Sequence, residues 1–251
     1  MRLNIFLQQA GVGSRREAER LVADGRVKVN GAVASATMPV EEGDKVEVDG
    51  KPVAPASRAL PRLFMLHKPV DFLVTHKDPK GRPTVFDLDC FKPSRYRQQL
   101  PRLMTVGRLD VNSEGLLLLS DDCPLAQAMM SPKTALSRVY RVRIRGRLSE
   151  KNIADLAKGI EIDGVNYRGA EFVEEPGKGG RTNSWYRVLL TEGKNREIRK
   201  LVEHFGGAVN RLIRVQYGPF ELGELESGAL REVPAEQVRR LMDHLVARDA
   251  S

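Results

Sequence analysis

Asp110 is the side chain best placed for chemistry in this sequence. It lies in the segment Gly-Arg-Leu-Asp-Val-Asn-Ser at 107–113, shortly before four consecutive leucines at 116–119. A short, continuous apolar run bounded by glycine and by Ser-Asp-Asp predicts a strand that is buried on both faces. Such a strand would hold the carboxylate at the mouth of a rigid element, where a reactive group can be placed accurately. The alternative is an ordinary turn aspartate that hydrogen-bonds its own backbone.

A second candidate, Tyr140, lies on an alternating strand at 138–144. It shares one face of that strand with Val142 and Ile144, while Val139, Arg141 and Arg143 lie on the other face. A ring on the apolar face is placed to cover a base instead of pointing into bulk water. The alternative interpretation is a tyrosine of the hydrophobic core.

A third candidate, Arg199, follows a strand that ends at Gly193. Asn195 is predicted as the N-cap of the next helix, and apolar residues at helical spacing form its buried stripe: Ile198, Leu201, Val202 and Phe205. Arg199 then falls in the first turn, where the helix macrodipole disfavours a cation. A buried carboxylate partner would explain this arginine, and a solvated arginine is the alternative.

Residues 1–50 are predicted to form a compact module of two helices and two hairpins. Ser14 and Glu17 have the spacing of a capping box at the start of the second helix, which is expected to stop at Gly25. Asn-Gly at 30–31 and Asp-Gly at 49–50 are typical of tight hairpin turns. Residues 51–61, rich in proline and alanine, are expected to be a semi-extended linker to a second domain at 62–251.

Charge is segregated within this module. Residues 1–30 carry six basic and three acidic side chains, whereas residues 31–50 carry one basic and five acidic ones. Arginines at a helix start, with more cations on the adjoining strand, form a local basic face suited to phosphates. A solvated helix surface is the alternative.

The composition narrows the function classes. A net charge of +8 favours a polyanionic partner, although charge alone does not separate nucleic acid from an anionic membrane. No apolar run approaches the roughly 20 residues that span a bilayer, and no signal peptide is evident. Two cysteines and four scattered histidines make a zinc site unexpected and fit a reducing cytoplasm. We therefore expect chemistry without a metal.

The module resembles the S4 RNA-binding domain. The resemblance rests on Arg2-Leu3, Ala10-Gly11, Ser-Arg-Arg-Glu-Ala at 14–18 and Gly-Arg-Val-Lys-Val-Asn-Gly at 25–31. It implies that the capped helix and the following hairpin grip structured RNA by its shape and backbone. The residues that the resemblance assigns to this grip are Arg2, Ser14, Arg15, Arg16, Arg26, Lys28 and Asn30.

The whole chain resembles the pseudouridine synthases, in the ribosomal RNA branch that joins an S4 domain to a catalytic domain. The matching motifs are Gly-Arg-Leu-Asp at 107–110 with Ser-Glu-Gly-Leu-Leu at 113–117, and Glu-Gly-Lys-Asn-Arg-Glu-Ile-Arg-Lys-Leu at 192–201. Lys68-Pro69 and the segment at 81–88 form a third block. Asp71 and Cys123 depart from the pattern, since each stands where relatives usually have glycine.

This resemblance implies roles for the candidate residues. Asp110 would be the essential aspartate, Tyr140 the ring that stacks on the target base and Arg199 the arginine that pairs with the aspartate, in a bidentate arrangement. Leu212 would form an apolar wall of the pocket. The reaction breaks the N1–C1′ bond of uridine, rotates the uracil and rejoins it through C5, without a cofactor. The aspartate would act as nucleophile at C1′, as nucleophile at C6, or as a base in an elimination across the ribose.

The resemblance also implies the fold and the substrate. It predicts an α+β catalytic domain, with a mainly antiparallel sheet flanked by helices and a pocket in a cleft across that sheet. Arg108, Lys194 and Arg196 would add RNA contacts beside the pocket. The expected substrate is 23S ribosomal RNA, acted on by a cytoplasmic monomer that binds no membrane. The alternatives are 16S ribosomal RNA, a non-catalytic assembly factor that binds RNA, and a sugar- or phosphate-processing enzyme.

Overall fold

The computed structural model describes residues 1–35, 38–54, 60–92, 100–177 and 182–249. It forms an N-terminal module (residues 1–54) and a larger C-terminal domain that begins at residue 60. Within these ranges, no helix has the length and apolar character needed to cross a membrane.

The N-terminal module packs two helices against a four-stranded antiparallel sheet. The elements are α1 (Leu3–Gln9), α2 (Arg15–Ala23), β1 (Val27–Val29), β2 (Ala32–Val33), β3 (Val46–Val48) and β4 (Lys51–Val53). The strands lie in the order β2-β1-β3-β4. Side chains from both helices and from β1 and β3 close a small core.

The local signals of the module are confirmed. Ser14 and Glu17 form the capping box, since the Ser14 hydroxyl accepts from the Glu17 amide and the Glu17 carboxylate accepts from the Ser14 amide. Asn30 and Gly31 both have positive φ, at 52° and 83°, as a two-residue hairpin turn with this twist requires. The sequence therefore specifies both helix start and turn.

The N-terminal sheet extends beyond residue 50. β4 pairs with β3 in the register Val48↔Lys51, so the first three residues of the predicted linker at 51–61 belong to the sheet. The predicted boundary at residue 50 cuts this hairpin, because its Asp-Gly turn sits at the boundary itself. Residues 55–59 of the predicted linker lie outside the described residues.

The C-terminal domain is built on a large mixed sheet. The strands of the domain are β5 (Leu63–Lys68), β6 (Met104–Val106), β7 (Glu114–Ser120), β8 (Arg138–Arg145), β9 (Ile160–Ile162), β10 (Val165–Tyr167), β11 (Glu171–Glu174), β12 (Asn183–Leu190), β13 (Ala208–Tyr217), β14 (Phe220–Glu221) and β15 (Leu230–Glu232). The strands of the large sheet follow the order β11-β12-β8-β13-β7-β5-β15, with β6 paired to β7 and β14 paired to β13. Every pairing in this sheet is antiparallel except that of β7 with β13.

Helices cover both faces of this sheet and create two cores. The helices are α3 (Cys123–Met130), α4 (Glu150–Lys158), α5 (Glu197–His204) and α6 (Ala235–Asp249). Leu117 and Leu119 of β7 join the core that holds side chains of α4 and α5, whereas Leu116 and Leu118 join the core under α3 and α6. This explains why four consecutive leucines are fully buried: each face of β7 meets a different core.

Candidate active site

A cleft of about 960 Å³ opens on the sheet where Asp110 precedes β7. Tyr140 of β8, Leu212 of β13 and the start of α5 also line it. The predicted cleft across the sheet is therefore present, and it brings together side chains from segments that are far apart in the sequence.

The backbone after Asp110 is held at every carbonyl. The Asp110 carbonyl accepts from the Ser113 amide, and the Val111 carbonyl accepts from the Asp71 amide at 2.8 Å. The Asn112 carbonyl accepts from Arg199, and the Ser113 carbonyl accepts from a buried lysine. This dense bonding fixes the loop, and with it the direction of the Asp110 side chain.

The buried lysine is Lys68, at the end of β5. Its side chain is fully inaccessible to solvent, and its ammonium donates to the carbonyls of Pro69, Ser113 and Val111 at 2.8, 2.7 and 3.4 Å. Burial lowers the pKa of Lys68 to about 8, and nearby carboxylates, Asp71 and Asp110 among them, oppose the shift. Lys68 thus places a positive charge directly beneath the loop that carries Asp110.

A glycine lets β7 approach β13 beside the cleft. Gly115 has φ of +106°, and a Cβ there would lie 2.3 Å from the carbonyl oxygen of Arg214. Any side chain would separate the parallel pair formed by Gly115 and Arg214. The glycine of the Ser-Glu-Gly-Leu-Leu motif therefore has a packing role.

Two arginines flank the Asp110 carboxylate. Arg196 Nη1 and Arg199 Nε each lie 3.8 Å from Asp110 Oδ2. The expected pairing of Arg199 with the aspartate is confirmed as a contact, but its bidentate form is wrong. The two terminal nitrogens of Arg199 donate instead to the carbonyls of Asn112 and Val209, which leaves only Nε toward the carboxylate.

Arg199 is a buried cation, with 8% of the residue exposed. Burial and the neighbouring Arg196 lower the pKa of its guanidinium, whereas Asp110 opposes that shift. The guanidinium is anchored by neutral carbonyls, so its charge stays directed at the carboxylate. Such a fixed charge in a partly desolvated site acts strongly on a reacting group.

The start of α5 differs from the expectation. Arg196 is the N-cap in place of Asn195, and its backbone is left-handed with φ of 55°. The reason is Glu197, whose carboxylate accepts from the Lys194 amide at 2.8 Å and closes a tight turn before the helix. This turn brings Arg196 to Asp110, a contact that the sequence did not indicate.

Glu197 is itself unusual, because only 3% of it is exposed. The pKa of Glu197 is raised to about 7, mainly by burial and also by the negative charge of Glu192, while the hydrogen bond from the Lys194 amide opposes the shift. Glu192 in turn is held by Lys194 Nζ at 2.5 Å. The carboxyl groups of Glu192 and Glu197 therefore both lie next to the loop that carries Arg196.

Tyr140 and Leu212 form the apolar part of the cleft. Tyr140 is 8% exposed and shares its strand face with Val142 and Ile144, as predicted. Leu212 of β13 is paired with Val142 of β8, and both Tyr140 and Leu212 line the cleft. An aromatic face and an aliphatic wall beside a carboxylate suit a flat heterocyclic base.

Two more arginines, absent from the predicted site, lie at the far end of the cleft. Arg214 is 3% exposed, and its Nε donates to the Leu116 carbonyl at 2.7 Å. Arg138 donates to the Tyr217 hydroxyl at 2.9 Å, and both guanidinium groups lie over the Tyr217 ring, at 4.8 and 5.1 Å from its centroid. The alternating strand patterns placed these positions on faces but gave no sign of this stack.

The predicted RNA-binding residues of the N-terminal module differ in how they are held. Arg2, Arg16 and Lys28 are exposed, whereas Arg15 pairs with Glu19 at 3.2 Å. Further residues serve the module itself: Ser14 caps α2, Arg26 pairs with Asp49, and Asn30 binds Asp44 and the Lys45 amide.

The remaining predicted RNA contacts all border the cleft: Arg108, Lys194 and Arg196. Arg108 is exposed at its edge. Lys194 is bound to Glu192 and to the Asn166 carbonyl, and it lies over the Tyr167 ring at 5.4 Å. Lys194 thus supports the turn before α5.

One departure from the family pattern has a simple geometry. Asp71 has φ of 67°, the left-handed conformation for which glycine is the usual residue. Its amide bonds to the Val111 carbonyl, so the loop keeps the shape that the glycine of relatives would allow. Cys123 is the buried first residue of α3.

Comparisons with known proteins agree with this geometry. The RNA pseudouridylate synthase family model matches residues 62–204, and the S4 domain model matches residues 1–46. An uncharacterized RNA pseudouridine synthase of Rickettsia felis is 42% identical over 92% of this chain and 96% of its own length. The ribosomal large subunit pseudouridine synthase B of Xanthomonas campestris is 43% identical over 97% of this chain, which spans only 49% of that relative.

The fold comparison points the same way. A crystal structure of a pseudouridylate synthase superimposes with a TM-score of 0.65, covering 96% of this chain and 99% of the other at 24% identity. That similarity concerns the fold, whereas the sequence matches identify the family. The chain belongs to the RNA pseudouridylate synthase family, whose members are isomerases, and it carries an S4 domain at its N-terminal end.

Proposed function

We propose that this protein isomerises a uridine of large-subunit ribosomal RNA to pseudouridine, with Asp110 as the catalytic carboxylate. The observation that carries the proposal is the fixed position of Asp110 at a cleft that also presents Tyr140 and Arg196, with Arg199 buried beside the carboxylate. Relatives named for the large ribosomal subunit support the substrate. The S4 domain supports an RNA partner.

The chemistry follows from the cleft. A uridine flips out of its helix or loop at a cost of a few kcal/mol, and stacking on Tyr140 returns roughly 1–3 kcal/mol. Leu212 bounds the base on its apolar side. The N1–C1′ bond then breaks, the uracil rotates, and C5 bonds to C1′ while the hydrogen of C5 leaves and N1 gains a proton. No electrons enter or leave, so the reaction is an isomerisation.

The charges around Asp110 keep it reactive. The guanidinium groups of Arg196 and Arg199 lie beside the carboxylate. Arg199 and Lys68 are held by backbone carbonyls, which orient their charges without neutralising them. Asp110 therefore meets the nucleotide beside fixed positive charges.

Replacing Asp110 with asparagine tests this role. We expect Asp110→Asn to abolish release of tritium from RNA that contains 5-tritiated uridine, while the RNA affinity stays close to that of the wild type. Asp163→Asn is the matched control, because Asp163 lies in an exposed turn that is distant from Asp110 in the sequence, and its positive φ suits asparagine. Tritium release by Asp110→Asn at the wild-type rate would refute the proposal.

The choice of ribosomal subunit needs its own experiment. Pseudouridines are mapped in ribosomal RNA from cells with and without this protein, and we expect a single site in the large-subunit RNA to disappear. Loss of a site in the small-subunit RNA would favour the alternative substrate. A wild-type protein that binds ribosomal RNA and converts none of its uridines would instead support an assembly factor.

Two further parts of the proposal concern RNA binding by the N-terminal module, and the cellular compartment and oligomeric state of the protein. We place the RNA grip of the S4 domain on its exposed cations, Arg2, Arg16 and Lys28, beside the capped start of α2. We also place the protein in the cytoplasm as a monomer, and a cytoplasmic setting agrees with a sequence that has only two cysteines, both buried. Light scattering of the purified protein, alone and with RNA, checks the oligomeric state.

A further inference from the structure

The face of the sheet opposite Tyr140 carries an arginine cluster that the isomerisation does not use. Because side chains alternate along a strand, β8 directs Arg141, Arg143 and Arg145 away from the cleft, and β12 directs Trp185 and Arg187 the same way. β13 adds a fifth arginine. We call this surface the back-face patch: Arg141, Arg143, Arg145, Trp185, Arg187 and Arg211.

The strand register makes the patch continuous. Trp185 is directly paired with Arg143, and Arg187 with Arg141, across the β12–β8 pair. On the other side, Arg211 of β13 is paired with Arg143. Arg145 and Arg187 are exposed, and the other patch side chains are at least partly accessible.

The charge of the patch is only partly balanced. Arg141 pairs with Glu175 at 2.7 Å, and Arg211 pairs with Glu114 at 2.5 Å. Within the described part of the chain, Arg143, Arg145 and Arg187 have no carboxylate within ion-pair distance. Arginines without partners on a flat surface are suited to bidentate contacts with phosphates.

Trp185 adds an aromatic group to these cations. It is half-buried, and the Arg141 guanidinium lies 4.9 Å from the centroid of its ring. An indole among arginines is the combination with which proteins bind nucleic acid through stacking and backbone contacts. An acidic protein surface would match the charge, but a nucleic-acid backbone matches both the charge and the aromatic group.

We propose that the back-face patch is a second RNA-binding surface, which binds the phosphate backbone of RNA on the side of the sheet away from the cleft. That this RNA is an extension of the substrate RNA rests on the proposed function. The patch holds RNA outside the reacting nucleotide, so it increases affinity for long, structured RNA and not for the flipped base.

The protein contains its own reporter for this surface. Trp185 is the only tryptophan in the sequence, so its fluorescence reports on the patch and not on the cleft. The probe is a fluorescein-labelled RNA hairpin that contains no uridine, which binds without turnover. We expect the indole emission to change during titration, with the same midpoint as the anisotropy of the labelled hairpin.

Paired charge variants of the full-length protein test the assignment. Arg143→Gln with Arg187→Gln should raise the Kd for the hairpin about tenfold and reduce the salt dependence of log Kd by about two. The control is Arg239→Gln with Arg240→Gln, which removes the same charge from the exposed side of α6 and should change the Kd less than about twofold. If the first pair destabilises the sheet, Arg145→Gln with Arg187→Gln alters exposed positions only.

The outcomes separate this inference from the proposed function. Unchanged indole emission at saturating RNA, or equal losses of affinity in the patch and control variants, would overturn the inference even if the wild type converts uridine. If an acidic protein bound to the back-face patch and the hairpin failed to displace it, the inference would also be overturned. A full indole response with this hairpin, together with no tritium release by the wild type from ribosomal RNA that contains 5-tritiated uridine, would overturn the proposed function and leave the patch in place.

Discussion

The N-terminal module and the cleft hold their cations in different ways. In the module, Arg26 forms two hydrogen bonds to the carboxylate of Asp49, at 2.8 and 2.5 Å, on an exposed surface. Beside the cleft, Lys68 and Arg199 are buried and donate to backbone carbonyls. Asp49 neutralises Arg26, whereas the carbonyls fix Lys68 and Arg199 in place and leave their charge.

This difference explains how one basic chain serves binding and chemistry. A carboxylate partner cancels the field of a cation, and in water an exposed pair adds little stability. Backbone carbonyls are dipoles without net charge, so they position a cation while its field still acts on neighbouring groups. Around the buried side chains of Lys68 and Arg199 that field is stronger than it would be at the surface.

The two arginines beside Asp110 lie at equal distance from it, so they compare a buried charge with an exposed one. Arg199→Met should lower kcat about a hundredfold, because it removes a buried, prepositioned charge from the reacting carboxylate. Arg196→Met removes an exposed charge at the same 3.8 Å and should lower kcat less than about tenfold. Single-turnover conversion of uridine in saturating RNA measures both.

Equal effects of the two substitutions would contradict the comparison, since distance alone would then determine the contribution. Circular dichroism and thermal melting of Arg199→Met distinguish a lost charge from a misfolded α5. Arg199→Lys restores the charge without the planar fork, so a partial recovery of kcat is expected.

Lys68 tests the same idea through stability. Lys68→Met leaves three carbonyl contacts without their donor and should lower the free energy of unfolding by about 3 kcal/mol. Lys28→Met, at an exposed position of β1, should leave it unchanged. Urea denaturation measures both, and an equally small effect of the two changes would show that carbonyl anchoring of Lys68 does not stabilise the fold.

Local patterns explain why much of the fold was predictable. The leucine run, the face of Tyr140, the capping box at Ser14 and the Asn30 turn each depend on residues within a few positions of each other. These are the signals that hydrophobic period, cap residues and turn residues carry. The family motifs then led to the cleft.

The details of the cleft depend on distant backbone groups, which no local pattern encodes. Arg199 donates to the carbonyl of Asn112, 87 residues earlier, and Lys68 to that of Ser113, 45 residues later. The bidentate pairing expected at Asp110 is wrong because the carbonyls of Asn112 and Val209 take the terminal nitrogens of Arg199. Arg196 reaches Asp110 because Glu197 closes the turn before α5, a result of one side-chain bond.

Glu197 can be compared with the buried cations Lys68 and Arg199, because it is a buried acid beside the cleft. Its pKa of about 7 lies above the ordinary value of 4.5, mainly through burial. Between pH 4.5 and about 7 the folded state therefore binds more protons than the unfolded state. The stabilising contribution of protonated Glu197 is full below pH 4.5 and is lost as the pH rises through about 7. Glu197→Gln keeps an acceptor for the Lys194 amide and cannot ionise.

We therefore expect Glu197→Gln to unfold at higher urea concentration than the wild type above pH 7, with a weaker pH dependence below it. Glu161→Gln, at an exposed position of β9, is the control and should follow the wild-type curve. Parallel pH profiles of Glu197→Gln and the wild type would show that Glu197 is ionised in the folded protein throughout this range.

The smallest expected effect comes from the neutralised pair of the module. Asp49→Asn removes the carboxylate that occupies Arg26, and asparagine tolerates the φ of 50° at this position. The released guanidinium is then available for phosphate, so the affinity for an RNA hairpin should rise about threefold and log Kd should depend more steeply on log salt, by about one. Fluorescence anisotropy at several salt concentrations measures both. The double variant Arg26→Gln with Asp49→Asn should lose this gain, and if it binds as tightly as Asp49→Asn, Arg26 is not the cation that was released.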